Sequence, residues 1–332
     1  MPKTHDDKCT LDECGFLGDC PEGTKCPLAP QEPEKVSEID VLALYRTYHG
    51  HKGAVFTLAV APDGRTALSG SADTTMIRWD LVGGSVLHAF EGHVNDVDAV
   101  CYVNDDVALS GSWDNTLRLW NLKTGAVKHV IKGFDYYIRS AAVSPDRRHA
   151  LAGSGDKTLK YLDLDTGDIV QTLTGHRNVV SSVAFAGPDT GIAGSWDRTI
   201  SMWDLKGGKY MRSFDGHEGY VYSVAVSADN KYLLSGSGDK TLKYWDIGTG
   251  ECLRTMAGHG GHVKTVAITP DGRYGVSGGS DRLLKVWDLA SGKCLQTIEA
   301  HDDIVDAVAA APNGKFVLSG SRDTSIKRWE FL

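Results

Sequence analysis

The chain has 332 residues, 41% of them hydrophobic, and a formal net charge of −8 at pH 7. The negative charge argues against binding DNA or RNA through phosphates, since that requires a concentrated basic surface. The first residues lack the apolar stretch of a secretory signal and no later segment is long and apolar enough to span a membrane, so we expect a cytoplasmic protein without membrane insertion.

Residues 1–40 differ in composition from everything that follows and form an N-terminal segment rich in cysteine and proline. It contains four of the seven cysteines of the chain: Cys9, Cys14, Cys20 and Cys26. Four thiolates in a cytosolic chain can hold Zn or an iron–sulfur cluster, although the spacing matches neither zinc knuckles nor a ferredoxin run. Two disulfides, or a disordered tail with unpaired thiols, are the competing interpretations. Of the three, metal binding is the expectation that cysteine density favours.

After this segment come a strand-like stretch at residues 41–48 and seven copies of a repeat of 41 or 42 residues. Each copy contains a Gly-His pair, a Ser-Gly-Ser-x-Asp type segment and a Trp-Asp pair, or variants of these. Alternating side chains between the landmarks, as in residues 241–245, predict β-strands joined by glycine-rich turns. A period of this length indicates a closed propeller in which each copy forms one four-stranded blade.

In these landmarks the chain resembles the WD40 repeat family over about residues 41–332. The resemblance implies an all-β fold, a seven-bladed WD40 β-propeller. The last copy ends directly after its third strand, so we predict that residues 41–48 complete the last blade and cover its exposed edge. The expected domains are therefore the N-terminal segment, 1–40, and the propeller, 41–332.

The resemblance also implies a buried tetrad in each blade, made of the Gly-His histidine, a second-strand serine, the turn aspartate and the third-strand tryptophan. Five blades carry the whole set: His51, Ser69, Asp73, Trp79; His93, Ser110, Asp114, Trp120; His217, Ser235, Asp239, Trp245; His259, Ser277, Asp281, Trp287; and His301, Ser319, Asp323, Trp329. The fourth blade keeps His176, Asp197 and Trp203 but has Ala193 in place of the serine, and the third keeps only Asp156. Because His, Ser and Asp recur in blade after blade, we interpret them as architecture and expect no enzyme activity.

Two of the eight tryptophans, Trp113 and Trp196, lie outside the tetrads, directly before the turn aspartate. In the family this position shares one face of the ring with the third and fifth residues after the Gly-His histidine, and partners commonly dock there. Carried over by position, the resemblance predicts a partner-binding set of aromatic and basic residues: Phe56, Trp113, Tyr137, Arg139, Trp196, Tyr220, Tyr222, Lys264 and Arg322. Such side chains are typical of binding hot spots. The alternative is that these aromatic side chains only pack one blade against the next.

Carboxylates at the same positions leave the charge of the ligand open, since Asp96, Asp98 and Asp306 would select a basic partner. The predicted function is a non-catalytic protein–protein interaction scaffold, an accessory subunit of a multi-subunit complex whose propeller needs no cofactor. The alternative is a redox or enzyme-complex subunit whose chemistry lies at a Zn or iron–sulfur site in the N-terminal segment.

Overall fold

The computed structural model describes residues 41–332, which form 28 β-strands and no helix. The strands make seven antiparallel sheets of four strands each, one sheet for each repeat. We number these sheets as blades one to seven in repeat order. The predicted seven-bladed propeller is therefore confirmed. Within this part of the chain there is also no helix of the length and hydrophobicity needed to cross a membrane.

The strands of the first four blades have similar lengths. Blade one contains β2 (Val55–Val60), β3 (Thr66–Ser71), β4 (Met76–Asp80) and β5 (Ser85–Phe90). Blade two contains β6 (Val97–Asn104), β7 (Val107–Ser112), β8 (Leu117–Asn121) and β9 (Val127–Ile131). Blade three contains β10 (Ile138–Val143), β11 (His149–Ser154), β12 (Thr158–Asp163) and β13 (Ile169–Thr174). Blade four contains β14 (Val180–Phe185), β15 (Thr190–Ser195), β16 (Ile200–Asp204) and β17 (Lys209–Phe214).

The last blade draws its strands from both ends of the described chain. Blade five contains β18 (Val221–Val226), β19 (Tyr232–Ser237), β20 (Thr241–Asp246) and β21 (Cys252–Ala257). Blade six contains β22 (Val263–Ile268), β23 (Tyr274–Gly279), β24 (Leu283–Asp288) and β25 (Cys294–Glu299). Blade seven contains β26 (Val305–Ala310), β27 (Phe316–Ser321), β28 (Ile326–Phe331) and, as its outer strand, β1 (Leu42–Tyr48).

The closing strand β1 pairs antiparallel with β28, with Leu42 opposite Phe331 and Tyr48 opposite Ile326. Both neighbouring blades also hold it. On one side the Gln296 side chain of blade six donates to the Leu42 carbonyl at 2.9 Å and accepts from its N–H at 2.7 Å. On the other side the Tyr48 hydroxyl donates to the Leu81 carbonyl of blade one at 3.1 Å. The predicted closure by residues 41–48 is confirmed.

The blades pack through seven hydrophobic clusters, each shared by two adjacent blades. Between blades one and two, for example, Leu68 and Phe90 meet Val97 and Trp120. The glycine of each Ser-Gly-Ser segment permits this approach. A Cβ on Gly70 would lie 2.6 Å from the Val97 carbonyl oxygen of the next blade. The repeated glycine is therefore needed for blade-to-blade packing.

The hairpin between the second and third strands of every blade has the same backbone feature. The residue after the turn aspartate is never glycine, yet its φ lies in the left-handed region, between 63° and 76°. These residues are Thr74, Asn115, Lys157, Arg198, Lys240, Arg282 and Thr324. Such a φ is disfavoured for most side chains and most of all for β-branched ones. Each blade therefore carries local strain that the surrounding hydrogen bonds maintain.

Candidate functional site

The predicted tetrads form in all five blades with the complete set. In blade five His217 Nδ1 lies 2.7 Å from Asp239 Oδ2, and His217 Nε2 lies 2.7 Å from Ser235 Oγ. The Trp245 indole N–H completes the chain by donating to Ser235 Oγ at 2.9 Å. The serines of these five tetrads are fully buried. A substrate has no access to these hydroxyls, which agrees with an architectural role.

The tetrad environment fixes the protonation of its members. Burial by itself would raise the pKa of Asp239, but hydrogen bonds from His217 and Thr241 outweigh it and hold this pKa far below its ordinary value. Asp73 in blade one behaves in the same way, with His51 and Thr75 as the donors. In blade seven burial lowers the pKa of His301, against the opposing effect of Asp323. The aspartates are therefore ionised and His301 is neutral at pH 7.

The fourth blade has a complete tetrad, contrary to the expectation from Ala193. Ser201 on β16 lies directly opposite Ala193 on β15 and takes over the missing hydroxyl. Its Oγ lies 2.6 Å from His176 Nε2 and accepts the Trp203 indole N–H at 2.7 Å. The other repeats have Ile, Arg or Lys at this position. Blade four thus keeps the tetrad hydroxyl, which is on its third strand instead of its second.

The third blade uses the same cross-strand position in a different way. Lys160 on β12 lies opposite Ala152 on β11, and its buried ammonium group lies 3.7 Å from Asp156 Oδ2. The Lys160 Nζ also lies 5.4 Å from the ring centroid of Phe134, which replaces the histidine. A lysine–carboxylate pair with a cation–π contact therefore stands where the other blades have a His–Asp pair. Sequence reasoning missed both Ser201 and Lys160. Only Ser201 was a usable signal, because other repeats also have Arg or Lys at the position of Lys160.

The fifth residue after each Gly-His position is a β-bulge in the inner strand of its blade. In blade one the pairing of β2 with β3 passes from Val55–Ser71 to Thr57–Gly70 and skips Phe56. The equivalent residue is skipped in every other blade. We call these seven residues the channel-mouth ring: Phe56, Asp98, Arg139, Ser181, Tyr222, Lys264 and Asp306. A bulge frees a side chain from the regular alternation of its strand and redirects it.

One cavity of about 130 Å³ is lined by all seven residues of the channel-mouth ring. Because each of these residues belongs to a different blade, the cavity lies on the axis of the propeller. Pockets for small molecules and cofactors usually measure roughly 300–1,000 Å³. This cavity therefore has room for about one side chain of a partner. Four members of the predicted partner-binding set line it: Phe56, Arg139, Tyr222 and Lys264.

Two of the carboxylates in the ring are already paired. Asp98 is buried and accepts from both the Arg139 guanidinium and the Trp113 indole N–H through its Oδ2 atom. Asp306 accepts from the Arg322 Nε at 2.7 Å. Arg322 in turn lies 5.9 Å from the ring centroid of Phe56 in blade one. The basic residues Arg139 and Arg322 thus neutralise acidic neighbours.

The predicted aromatic residues meet across the joints between blades. Trp113 of blade two stacks on Tyr137 of blade three, with ring centroids 4.6 Å apart. Trp196 of blade four stacks on Tyr220 of blade five at 5.7 Å. Trp113 is nonetheless 38% exposed and Tyr220 45% exposed. The rings therefore pack against the next blade, as the alternative interpretation expects, and they also present area to solvent, so partner binding by these residues stays a prediction.

The second stack continues toward the axis of the propeller. Tyr222 lies edge-on to Trp196 and stacks on His262 of blade six at 5.9 Å. We call Trp196, Tyr220, Tyr222 and His262 the aromatic patch. His262 is not a member of the predicted partner-binding set. The structure thus brings the predicted residues of blades four to six into one continuous surface.

The cysteines predicted to bind metal, Cys9, Cys14, Cys20 and Cys26, lie outside the described residues. Within residues 41–332 no group of three or more His, Cys, Asp or Glu side chains is arranged to hold a metal ion. The metal prediction for the N-terminal segment therefore stays a prediction.

Comparison with known proteins gives matches in every repeat. The sequence profile of WD40, described as WD domain, G-beta repeat, matches residues 42–80, 84–121, 125–163, 167–204, 208–246, 250–288 and 292–330. Over 45 residues the chain is 44% identical to eukaryotic translation initiation factor 3 subunit I of Phaeosphaeria nodorum, which covers 14% of each chain. Over 68 residues it is 35% identical to small ribosomal subunit protein RACK1 of Drosophila melanogaster, covering 20% of this chain and 21% of that protein.

A third relative is the cross-pathway control WD-repeat protein 2 of Flammulina velutipes, 39% identical over 57 residues, or 17% of this chain and 18% of that protein. Each of these alignments spans only about a fifth or less of the curated relative. The likeness to individual relatives is therefore limited to one or two repeats.

Proposed function

The chain belongs to the WD40 repeat family, and from this premise we propose that it is a non-catalytic scaffold that binds protein partners on the face carrying the channel-mouth ring and the aromatic patch. The observation that carries the proposal is the aromatic patch itself. Four rings from three blades form one surface on a rigid ring of sheets, and Tyr220 within it is 45% exposed. Rigid aromatic side chains bury large area on binding at low entropic cost.

Two of the relatives support a role inside larger assemblies. One is a subunit of a translation initiation factor and another is a protein of the small ribosomal subunit. We therefore place this protein in a multi-subunit complex of the cytoplasm, with a protein as its direct partner. No cofactor is required for this role, because presentation of a preformed surface is the whole mechanism.

Affinity capture from native extract tests the proposal with the full chain as bait. A double variant, Trp196→Ala with Tyr220→Ala, removes the outer half of the aromatic patch. The matched control is Tyr210→Ala with Met211→Ala on the outer strand β17, where the side chains are 55% and 51% exposed. We expect a stoichiometric partner on wild-type and control protein, and at least a tenfold loss on the patch variant, as for hot-spot residues. Equal recovery on both variants, with melting temperatures that show folded protein, would contradict the proposal.

The N-terminal segment supports a second proposal, that its four cysteines bind Zn or an iron–sulfur cluster. Its basis is the density of thiols within residues 9–26. Anaerobic purification followed by elemental analysis and an absorption spectrum tests it, with a variant carrying serine at Cys9, Cys14, Cys20 and Cys26 as the control. Metal near stoichiometry in wild-type protein and its loss in the variant are expected. Equal, substoichiometric metal in both proteins would refute it.

A further inference from the structure

The sign of charge that a partner must bring follows from which charged groups on the docking face are already paired. Asp98 is bound by Arg139 and Trp113, and Asp306 is bound by Arg322. These contacts engage one oxygen of each carboxylate of the channel-mouth ring and both arginines of the predicted binding set. The buried Oδ1 of Asp98 has no donor among the described residues, but Asp98 belongs to blade two, three blades away from Lys264, and its charge is balanced by Arg139. The charge that this face prefers in a partner therefore depends on the charged groups that have no ion-pair partner.

Lys264 is the unpaired cation of the channel-mouth ring among the described residues. Within residues 41–332 its ammonium group takes part in no hydrogen bond and no ion pair, and the Nζ atom lies 3.8 Å from the ring centroid of Tyr222. Burial lowers the pKa of Lys264 to about 8, with Arg139 and Arg322 lowering it further and Asp306 opposing them. A half-buried ammonium group with only a cation–π contact is poorly compensated, since burial of a charge is costly unless the charge is paired.

The surroundings of Lys264 also fit an anionic group. The Trp196 indole N–H is buried and has no acceptor among the described residues. Trp196 and Lys264 both contact Tyr222, so an unused donor and an unused cation flank the same ring. The axial cavity of about 130 Å³, which Lys264 and Tyr222 help to line, holds about one side chain. Charge-assisted hydrogen bonds to a carboxylate are among the strong polar contacts that proteins make.

A third carboxylate at the predicted docking positions, besides those of Asp98 and Asp306, forms no ion pair within residues 41–332. Asp96 of blade two has a pKa raised by burial and by the neighbouring charge of Asp98. It lies three blades away from Lys264 around the ring, across blades seven and one, and outside the lining of the axial cavity. Asp96 therefore does not neutralise Lys264.

From this arrangement we infer that the protein partner inserts an acidic side chain, glutamate or aspartate, into the channel mouth, where it pairs with Lys264 while flanking residues cover the aromatic patch. This inference rests on the proposed function, because it names the chemistry of the partner at the same face. Overall electrostatics predict the opposite preference, since a chain with a net charge of −8 attracts basic segments. An acidic preference is therefore diagnostic of the local site.

Selection of a random peptide library on immobilised full-length protein tests the inference. Wild-type protein is compared with Lys264→Met and with Lys293→Met, which removes an exposed lysine from the turn between the last two strands of the same blade. Enriched peptides are then synthesised with the acidic residue and with its amide. We expect an acidic residue at one fixed position, a loss of roughly tenfold or more on changing Glu to Gln, and no such difference on Lys264→Met. The Lys293→Met control should behave as wild type.

The pH dependence gives a second readout that does not depend on the folding of one variant. The bound anion favours charged Lys264, so the affinity should be constant below about pH 8 and fall as the pH rises above it. The groups around this lysine are Asp306, Arg139, Arg322, Tyr222 and His262. In Lys264→Arg the charge persists at all these pH values, and the decline should disappear.

Enrichment of basic or neutral peptides, of no peptide at all, or of acidic peptides equally on Lys264→Met would overturn the inference. The docking face itself is judged separately by the Trp196→Ala, Tyr220→Ala double variant. Loss of the natural partner on that variant, with no acidic preference, would refute only the role of Lys264. Retention of the natural partner on that variant would refute the proposed function.

Discussion

The tetrad positions carry His, Ser, Asp and Trp in nearly every blade, whereas the channel-mouth ring carries six residue types at its seven positions. Both sets use fixed positions of one repeat. The tetrads are buried, so a lost hydroxyl leaves a histidine and an indole unpaired, at a cost of about 1–3 kcal/mol for each group. The ring side chains line an open cavity at the channel mouth, where no single hydrogen-bonded pattern recurs from blade to blade. Positions with the same residue in nearly every blade therefore stabilise the fold, and positions whose residue differs between blades are the ones that can select a partner.

Even the exceptions among the tetrads follow this rule. Where Ala193 replaces the serine, Ser201 supplies the hydroxyl, and where Ala152 does so, Lys160 reaches the turn aspartate. In blade four the opposite strand restores the hydrogen bonds of the tetrad, and in blade three it supplies an ion pair with the turn aspartate at 3.7 Å. The members of the ring are held in different ways: Asp98 pairs with Arg139, Ser181 donates to main-chain carbonyls, and Lys264 has a cation–π contact.

The largest effect should come from breaking a tetrad. Asp239→Ala removes the acceptor that holds His217 and should lower the free energy of unfolding by about 3 kcal/mol, as for other broken buried pairs. Tyr222→Ala at the ring of the same blade should cost about 1 kcal/mol, since it loses ring contacts but no buried polar partner. Urea unfolding of both variants measures the difference. Similar losses in the two would remove the distinction between framework and ring.

A smaller effect tests the relocated hydroxyl of blade four. Ser201→Ala should cost about 2 kcal/mol, because it leaves the Trp203 N–H and His176 Nε2 without their partner. Adding Ala193→Ser restores the arrangement of the other blades and should recover most of the loss in the double variant. Thermal unfolding of the two single variants and the double variant gives the coupling. Additive losses would show that Ser201 does not replace the second-strand serine.

The pH response of stability should separate the two regions further. Folding lowers the pKa of the tetrad aspartates from 3.8 and that of His301 from 6.5, so the unfolded chain binds more protons than the folded one. The free energy of unfolding should therefore decrease as the pH falls, first below about 6.5 because of His301 and again below about 4 because of the aspartates. Lys264 has a pKa of about 8 against 10.5 when unfolded, so its cost is relieved as the pH rises above 8. Denaturant unfolding from about pH 2 to about pH 9.5 measures the response of both regions. A rise above pH 8 that persists in Lys264→Met would contradict the assignment to the ring.

The smallest effect concerns the strained hairpins that all blades share. Thr324→Asn should raise the free energy of unfolding by about 0.5–1 kcal/mol, because asparagine tolerates the left-handed φ of 70° better than a β-branched residue. Blade two already has Asn115 at this position, with φ 63°. The reciprocal change, Asn115→Thr, should therefore lower stability by a similar amount. Differential scanning calorimetry distinguishes the two, and a shift of the same sign in both would contradict the strain argument.

Most of the propeller framework could be predicted because the same residues recur at the same positions of each repeat. The His, Asp and Trp spacing indicated seven blades, and five complete tetrads formed as expected. Residues 41–48 could be assigned to the last blade because that blade lacked a fourth strand in the sequence. Prediction was wrong at Ala193, where each position was compared only with its equivalent in other repeats. The partner of a buried group depends on the opposite strand, which such a comparison does not include.

The sequence by itself determined the number of blades and the closure of the ring, because these follow from a periodic pattern that local hydrogen bonding and burial enforce. The face on which the aromatic residues lie was implied by the resemblance to the family. Only the tertiary structure decided how side chains from different blades meet. The pairing of Asp98 with Arg139 and the lack of an ion-pair partner for Lys264 among residues 41–332 depend on residues about 40 positions apart. The bulge at each ring position depends on the pairing of two neighbouring strands of one blade. Contacts between blades follow from closure of the ring, which no single repeat encodes.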